Sequence, residues 1–73
     1  MSKLPALSAR KLVAGLKRIG YVEARQAGSH LILKHPDRQI LVIPMHVGDL
    51  AKPFLKSILK EAGISEEEFL RYL

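Results

Sequence analysis

Apolar side chains recur at helical spacing near the start of the chain. Ala9, Leu12, Val13, Leu16 and Ile19 share one face, while Arg10, Lys11, Lys17 and Arg18 fall on the other. The spacing predicts an amphipathic helix over 9–19. Ser8 can cap it, because its hydroxyl accepts an orphan backbone N–H, and Gly20 supplies a left-handed stop. Residues 1–7 show no clear periodicity and read as a short leader.

The period then shortens to two. Residues 21–27 read as a strand of mixed polarity, and Gly28-Ser29 as a tight connection. Residues 30–35 form a second strand, with Leu31 and Leu33 on one face and His30, Ile32 and Lys34 on the other. Pro36-Asp37-Arg38 is a turn, and 39–43 is a third strand. Its run Ile40-Leu41-Val42-Ile43 is apolar on both faces, which predicts a central position or a partly covered second face. Short connections favour an antiparallel meander.

Pro44 ends the third strand, and 45–52 reads as a loop holding His46, Gly48 and Asp49. Pro53 fits the first position of a helix running to residue 62, with Phe54, Leu55, Ile58 and Leu59 as its buried stripe and Gly63 as its stop. Ser65 and Glu68 have the spacing of a capping box for a last short helix ending in Phe69, Leu70 and Leu73. There is no internal repeat and no linker, so residues 1–73 are expected to form one domain. The predicted class is α+β: helix, three-stranded antiparallel sheet, helix and short C-terminal helix, with the helices on one face of the sheet.

Composition narrows the chemistry. The chain has no cysteine, which removes disulfides, thiolate catalysis and thiolate metal ligation, and which suits a reducing cytoplasm. No apolar run is long enough for a membrane span, and the N-terminus lacks a signal-peptide layout. Net charge is +5. Residues 1–60 hold eleven basic against three acidic side chains, and the acidic excess is confined to residues 61–73. A basic body with an acidic tail is the electrostatic pattern of a polyanion binder, although solvation alone can also explain it.

Three histidines are candidates for proton transfer. His30 opens a strand directly after a Gly-Ser turn, a place where an imidazole can meet solvent and substrate. On RNA, the ribose 2′-hydroxyl attacks the adjacent phosphorus. A histidine either takes that proton or protonates the leaving 5′ oxygen, and no metal or other cofactor is required. His35 precedes Pro36, points away from the His30 face and reads as a turn residue with a polar partner. His46, in the loop after the third strand, is a candidate second proton carrier or phosphate contact.

No histidine pair has the spacing of a helical metal site, and no metal is expected. Ser29 and His30 are strand neighbours that point apart, which argues against a serine nucleophile. Lys34 shares the face of His30 and is the best-placed phosphate contact, with Arg25 and Arg38 as further ones. Arg10, Lys11, Lys17 and Arg18 form one basic stripe, and Lys52, Lys56 and Lys60 a second. With two Phe, two Tyr and no Trp, a base-stacking platform is not expected, and backbone and shape recognition is the better fit.

Leu16-x-x-x-Gly20-Tyr21, Arg25-Gln26-x-Gly28-Ser29-His30, His35-Pro36, Ile43-Pro44-x-His46 and Ile58-Leu59-x-x-Ala62-Gly63-Ile64 together resemble the HicA toxins of bacterial and archaeal toxin–antitoxin pairs. The resemblance covers roughly residues 8–73. It implies a double-stranded-RNA-binding-like fold and an mRNA interferase that cleaves RNA and so blocks translation. It makes His30 the catalytic residue. The RNA contacts expected from the residues themselves are Lys34, Ser29, Gly28, Arg25, Arg10, Lys11 and His46. The resemblance also implies a HicB-like antitoxin that covers the active site. The chain departs from many members by carrying Leu31 where a second histidine follows Gly-Ser-His, and Pro53-Phe54 where Gly-Thr begins the second helix. The alternative reading of the residues is a non-catalytic module that binds double-stranded RNA or another nucleic acid.

Overall fold

The computed structural model describes residues 4–45 and 48–73. The chain forms β1 (Leu7–Ser8), α1 (Ala9–Ile19), β2 (Val22–Ala27), β3 (His30–Lys34), β4 (Leu41–Pro44), β5 (Asp49–Leu50), α2 (Lys52–Ala62) and α3 (Glu66–Leu70). Strands β2, β3 and β4 make an antiparallel sheet in that order. One face of it is packed by the helices, giving the expected α+β, double-stranded-RNA-binding-like architecture.

Local chemistry sets the ends of α1. Ser8 Oγ accepts the Lys11 amide at 3.2 Å, and Gly20 turns the chain out at φ 119°. A side chain at Gly20 would also collide with His35, whose Nε2 lies 2.9 Å from an ideal Cβ there. Lys17 and Arg18 occupy the last turn, where cations meet the negative end of the helix dipole. The face of Leu12, Val13 and Leu16 is buried against Leu31, Leu33, Leu41 and Ile43 of the sheet. Each such side chain removed from water contributes roughly 1.5–3 kcal/mol.

Several expectations need correction. The third strand starts at Leu41, not at residue 39, and lies at the sheet edge while β3 is central. Ile40 and Val42 are about half exposed because alternation turns them away from the core, so the apolar run has one buried face. Residues 4–8 are more than a leader. Leu4 and Leu7 are buried, and Leu7 pairs with Leu50. The expected loop at 45–52 therefore contains a short strand. Phe54 is 38% exposed, and the buried stripe of α2 is Leu55, Ile58, Leu59 and Ala62.

The last helix follows only half of its capping box. Ser65 Oγ accepts the Glu68 amide at 3.0 Å, but the Glu68 carboxylate faces Arg38 at 3.7 Å. Arg38 also donates to the carbonyls of Ala62 and Gly63 at 3.0 and 3.1 Å. It thus closes the C-terminal end of α2, where unpaired carbonyls and the dipole favour a cation. Structurally it is a cap, not a free phosphate contact.

Candidate functional site

The hairpin of β2 and β3 positions the histidine of interest. Gly28 has φ 62° and an ideal Cβ there would meet nothing within 4 Å, so conformation rather than space requires glycine. No other residue of this turn has positive φ, which is the pattern of a turn with glycine at its first central position. The turn sets Ala27 opposite His30. On the other side His30 pairs with Pro44, and the Met45 amide donates to the Ser29 carbonyl at 2.6 Å. The backbone of Ser29 and His30 is therefore held from both flanking strands.

Alternation along β3 buries Leu31 and Leu33 and turns His30, Ile32 and Lys34 to the opposite, open face. Register extends this face across the sheet. Arg25 lies opposite Ile32, and Val22 lies opposite Lys34. Val42 lies opposite Ile32 on the other side. The open face thus gathers one imidazole, one ammonium and one guanidinium around an apolar strip. Such a surface can place a phosphate near a proton carrier.

The other basic candidates lie elsewhere. Arg10 and Lys11 are exposed on α1, on the helix side of the sheet. Ser29 is half-buried in the turn, and His46 lies outside the described residues. Lys17 forms an ion pair with Glu23. Arg18 donates to the Tyr72 carbonyl at 2.6 Å. The structure therefore puts His30, Lys34 and Arg25 on one face of the sheet and Arg10 and Lys11 on the other side.

His35 has a structural role, as its position before Pro36 suggests. Its Nδ1 accepts the Asp37 amide at 3.0 Å, which leaves Nε2 to donate to the Ile19 carbonyl at 3.3 Å. The ring lies 5.0 Å from that of Tyr21. Both nitrogens are occupied, and the ring ties the end of α1 to the β3–β4 turn.

Gln26, present in the sequence only as part of a motif, has a role of its own in the fold. Its side-chain amide donates to the Gly28 carbonyl at 3.1 Å and braces the turn before His30. A glutamine two residues before a Gly-Ser turn was the available signal. Among the described residues no group of three metal-ligating side chains lies close enough to hold an ion. Among the same residues no helix is long and apolar enough to cross a membrane.

The sequence matches a family model described as the HicA toxin of bacterial toxin–antitoxin systems, over residues 9–64. That span holds α1, the whole three-stranded sheet and α2. No curated relative matches the sequence.

Proposed function

The chain belongs to the HicA toxin family, toxins of toxin–antitoxin systems, and on that premise we propose that it is a metal-independent endoribonuclease that cleaves mRNA in the cytoplasm through His30. The observation that carries this reading is the shared open face of His30 and Lys34, with Arg25 alongside. In this reading Lys34 and Arg25 hold the phosphodiester on the face where His30 stands, its backbone paired on both sides.

The reaction needs one proton removed and one delivered. The 2′ oxygen forms a bond to phosphorus, the bond to the 5′ oxygen breaks, and the products are a 2′,3′-cyclic phosphate and a free 5′-hydroxyl. His30 acts at one end of this transfer, as base toward the 2′-hydroxyl or as acid toward the leaving oxygen. RNA supplies its own nucleophile, so the protein contributes positioning, charge and the proton carrier. The backbone of Gly28 and Ser29 and the Ser29 hydroxyl shape the approach, and Arg10, Lys11 and His46 extend the contact with the RNA.

The open face also suits the antitoxin. Val22 and Val42 are exposed beside His30 and Lys34, and apolar area flanked by cations fits an acidic protein surface. A HicB-like antitoxin seated there covers His30 and excludes RNA.

The test is RNA cleavage by the wild-type protein and by His30→Ala in EDTA, with the fold of both checked by circular dichroism. Loss of the imidazole is expected to slow cleavage by roughly two to four orders of magnitude while the fold persists. Equal rates for both proteins would sink the assignment of His30. Binding without cleavage by either protein would replace it with the nucleic-acid-binding module.

A further inference from the structure

Strand β2 is exposed along its whole length, whereas Leu31, Leu33, Leu41 and Ile43 of β3 and β4 are buried in the core with the inner face of α1. Glu23 and Gln26 lie opposite Leu33 and Leu31, so they point to the helix side. Between them and α1 runs an open groove of about 300 Å³. Val13, Ala14, Leu31 and Met45 supply its apolar lining, while Arg10 and Gln26 supply polar groups. The Lys17–Glu23 ion pair bridges helix and strand at the groove.

We propose that this groove is a nucleotide-binding subsite, holding one unpaired nucleotide of the RNA next to the cleaved bond. The inference rests on the proposed RNA substrate and adds how sequence is read. Three observations carry it.

The first is size and lining. The volume is at the lower end of the range for small-molecule sites and is enough to seat one nucleotide. An apolar lining with a few polar groups is the usual composition of such sites.

The second is the state of the polar groups. Arg10 has no ion pair or hydrogen bond among the described residues, so its guanidinium is available to a phosphate or to the face of a base. Gln26 is fixed by its bond to the Gly28 carbonyl, which leaves its amide oxygen and second N–H to meet a base edge. A preorganised amide loses less freedom on binding.

The third is continuity with the histidine. Gln26 bonds to the turn before His30, Leu31 follows His30, and the Met45 amide holds the Ser29 carbonyl. Three groove residues are thus attached to the backbone that presents the imidazole on the opposite face. A strand passing around the Gly28-Ser29 tip sets a phosphate at His30 and the neighbouring base in the groove.

The experiment uses methyl NMR of the full-length His30→Ala protein. It is titrated separately with the four ribonucleoside 5′-monophosphates and with ribose 5-phosphate. Saturable shifts of the Val13, Leu31 and Met45 methyls are expected with nucleotides and not with ribose 5-phosphate. Dissociation constants should differ at least fivefold among the bases. Ala14→Leu, an exposed helix position where leucine is well tolerated, fills the groove and should weaken every nucleotide at least tenfold with the amide spectrum retained. Arg10→Ala should weaken all four about equally and keep their order.

Equal shifts from ribose 5-phosphate, or no saturable shift at these methyls, would overturn the subsite. Base-dependent shifts from a wild-type protein that cuts no RNA would support the groove and overturn the ribonuclease reading instead. Cleavage by wild type without base-dependent shifts would do the reverse.

Discussion

The ring of Phe69 lies on Gly15: an ideal Cβ at Gly15 would come within 2.8 Å of two ring atoms. Gly15 is buried in the middle of α1 and Phe69 is fully buried in α3. The missing side chain on the first helix is the space in which the last helix docks.

Gly15→Ala is therefore expected to destabilise the protein, although alanine favours helix by about 1 kcal/mol. Overpacking a closed site costs about 1–3 kcal/mol, and Phe69 has no exposed side toward which to move. A lower urea midpoint with an unchanged slope is the expected result. Adding Phe69→Leu should return part of the loss, and strict additivity of the two changes would show that the contact does not matter.

Arg38 and Lys34 should separate cleanly. Arg38→Ala removes hydrogen bonds from a charged donor to two carbonyls and is expected to cost about 1.5–3 kcal/mol. It should leave the salt dependence of RNA binding unchanged. Lys34→Ala should change stability by no more than about 0.5 kcal/mol. It should instead lower the slope of log K against log salt by about 0.7–0.9, one phosphate contact. Denaturation and binding titrations on both variants check this.

Tyr21 is buried, and its hydroxyl donates to the Gln39 carbonyl at 2.8 Å. Burial raises its pKa above 10.0, against a smaller lowering by Arg38. The folded state thus holds the phenolic proton more tightly than the unfolded chain. Its stabilising effect is complete below pH 10 and is lost as pH rises from there through the folded-state value. Tyr21→Phe should cost about 1 kcal/mol near neutral pH. It should also flatten the alkaline decline in urea stability relative to wild type. Parallel profiles for the two proteins above pH 10 would contradict the shift.

Met45→Pro removes the amide that holds the Ser29 carbonyl. A loss of about 1 kcal/mol is expected from the bond itself. Cleavage should fall by more than the unfolded fraction explains, because the turn before His30 loses its support from β4. Rates measured well below the melting temperature distinguish the two effects.

Much of the fold was legible because its signals are local. Ser8, Gly20 and the spacing of Leu12, Val13 and Leu16 define α1 by capping and periodicity alone. Alternation in His30–Lys34 placed the imidazole and the ammonium on one face. What escaped depends on distant partners. Leu7 and Leu50 form a two-residue ladder that has no pattern of its own. Arg38 reads as one more surface cation until the end of α2 arrives beside it. Phe54 sits at the border of a helical stripe, where periodicity does not decide between Phe54 and Ala62. The groove was invisible because it lies between α1 and β2, and neither pattern says how the two meet.

The ladder of Leu7 and Leu50 has a consequence for the order of assembly. The hairpin that carries His30 closes across Ala27 and His30, three positions apart, whereas Leu7 and Leu50 are 43 positions apart. Chain closure grows by about 0.6 kcal/mol per doubling of length, so the longer loop starts roughly 2 kcal/mol behind. The turn presenting His30 is thus fixed early, and the strap formed by the first residues is fastened late. A chain trimmed ahead of Ser8 should still nucleate its hairpin at the normal rate, yet unfold faster.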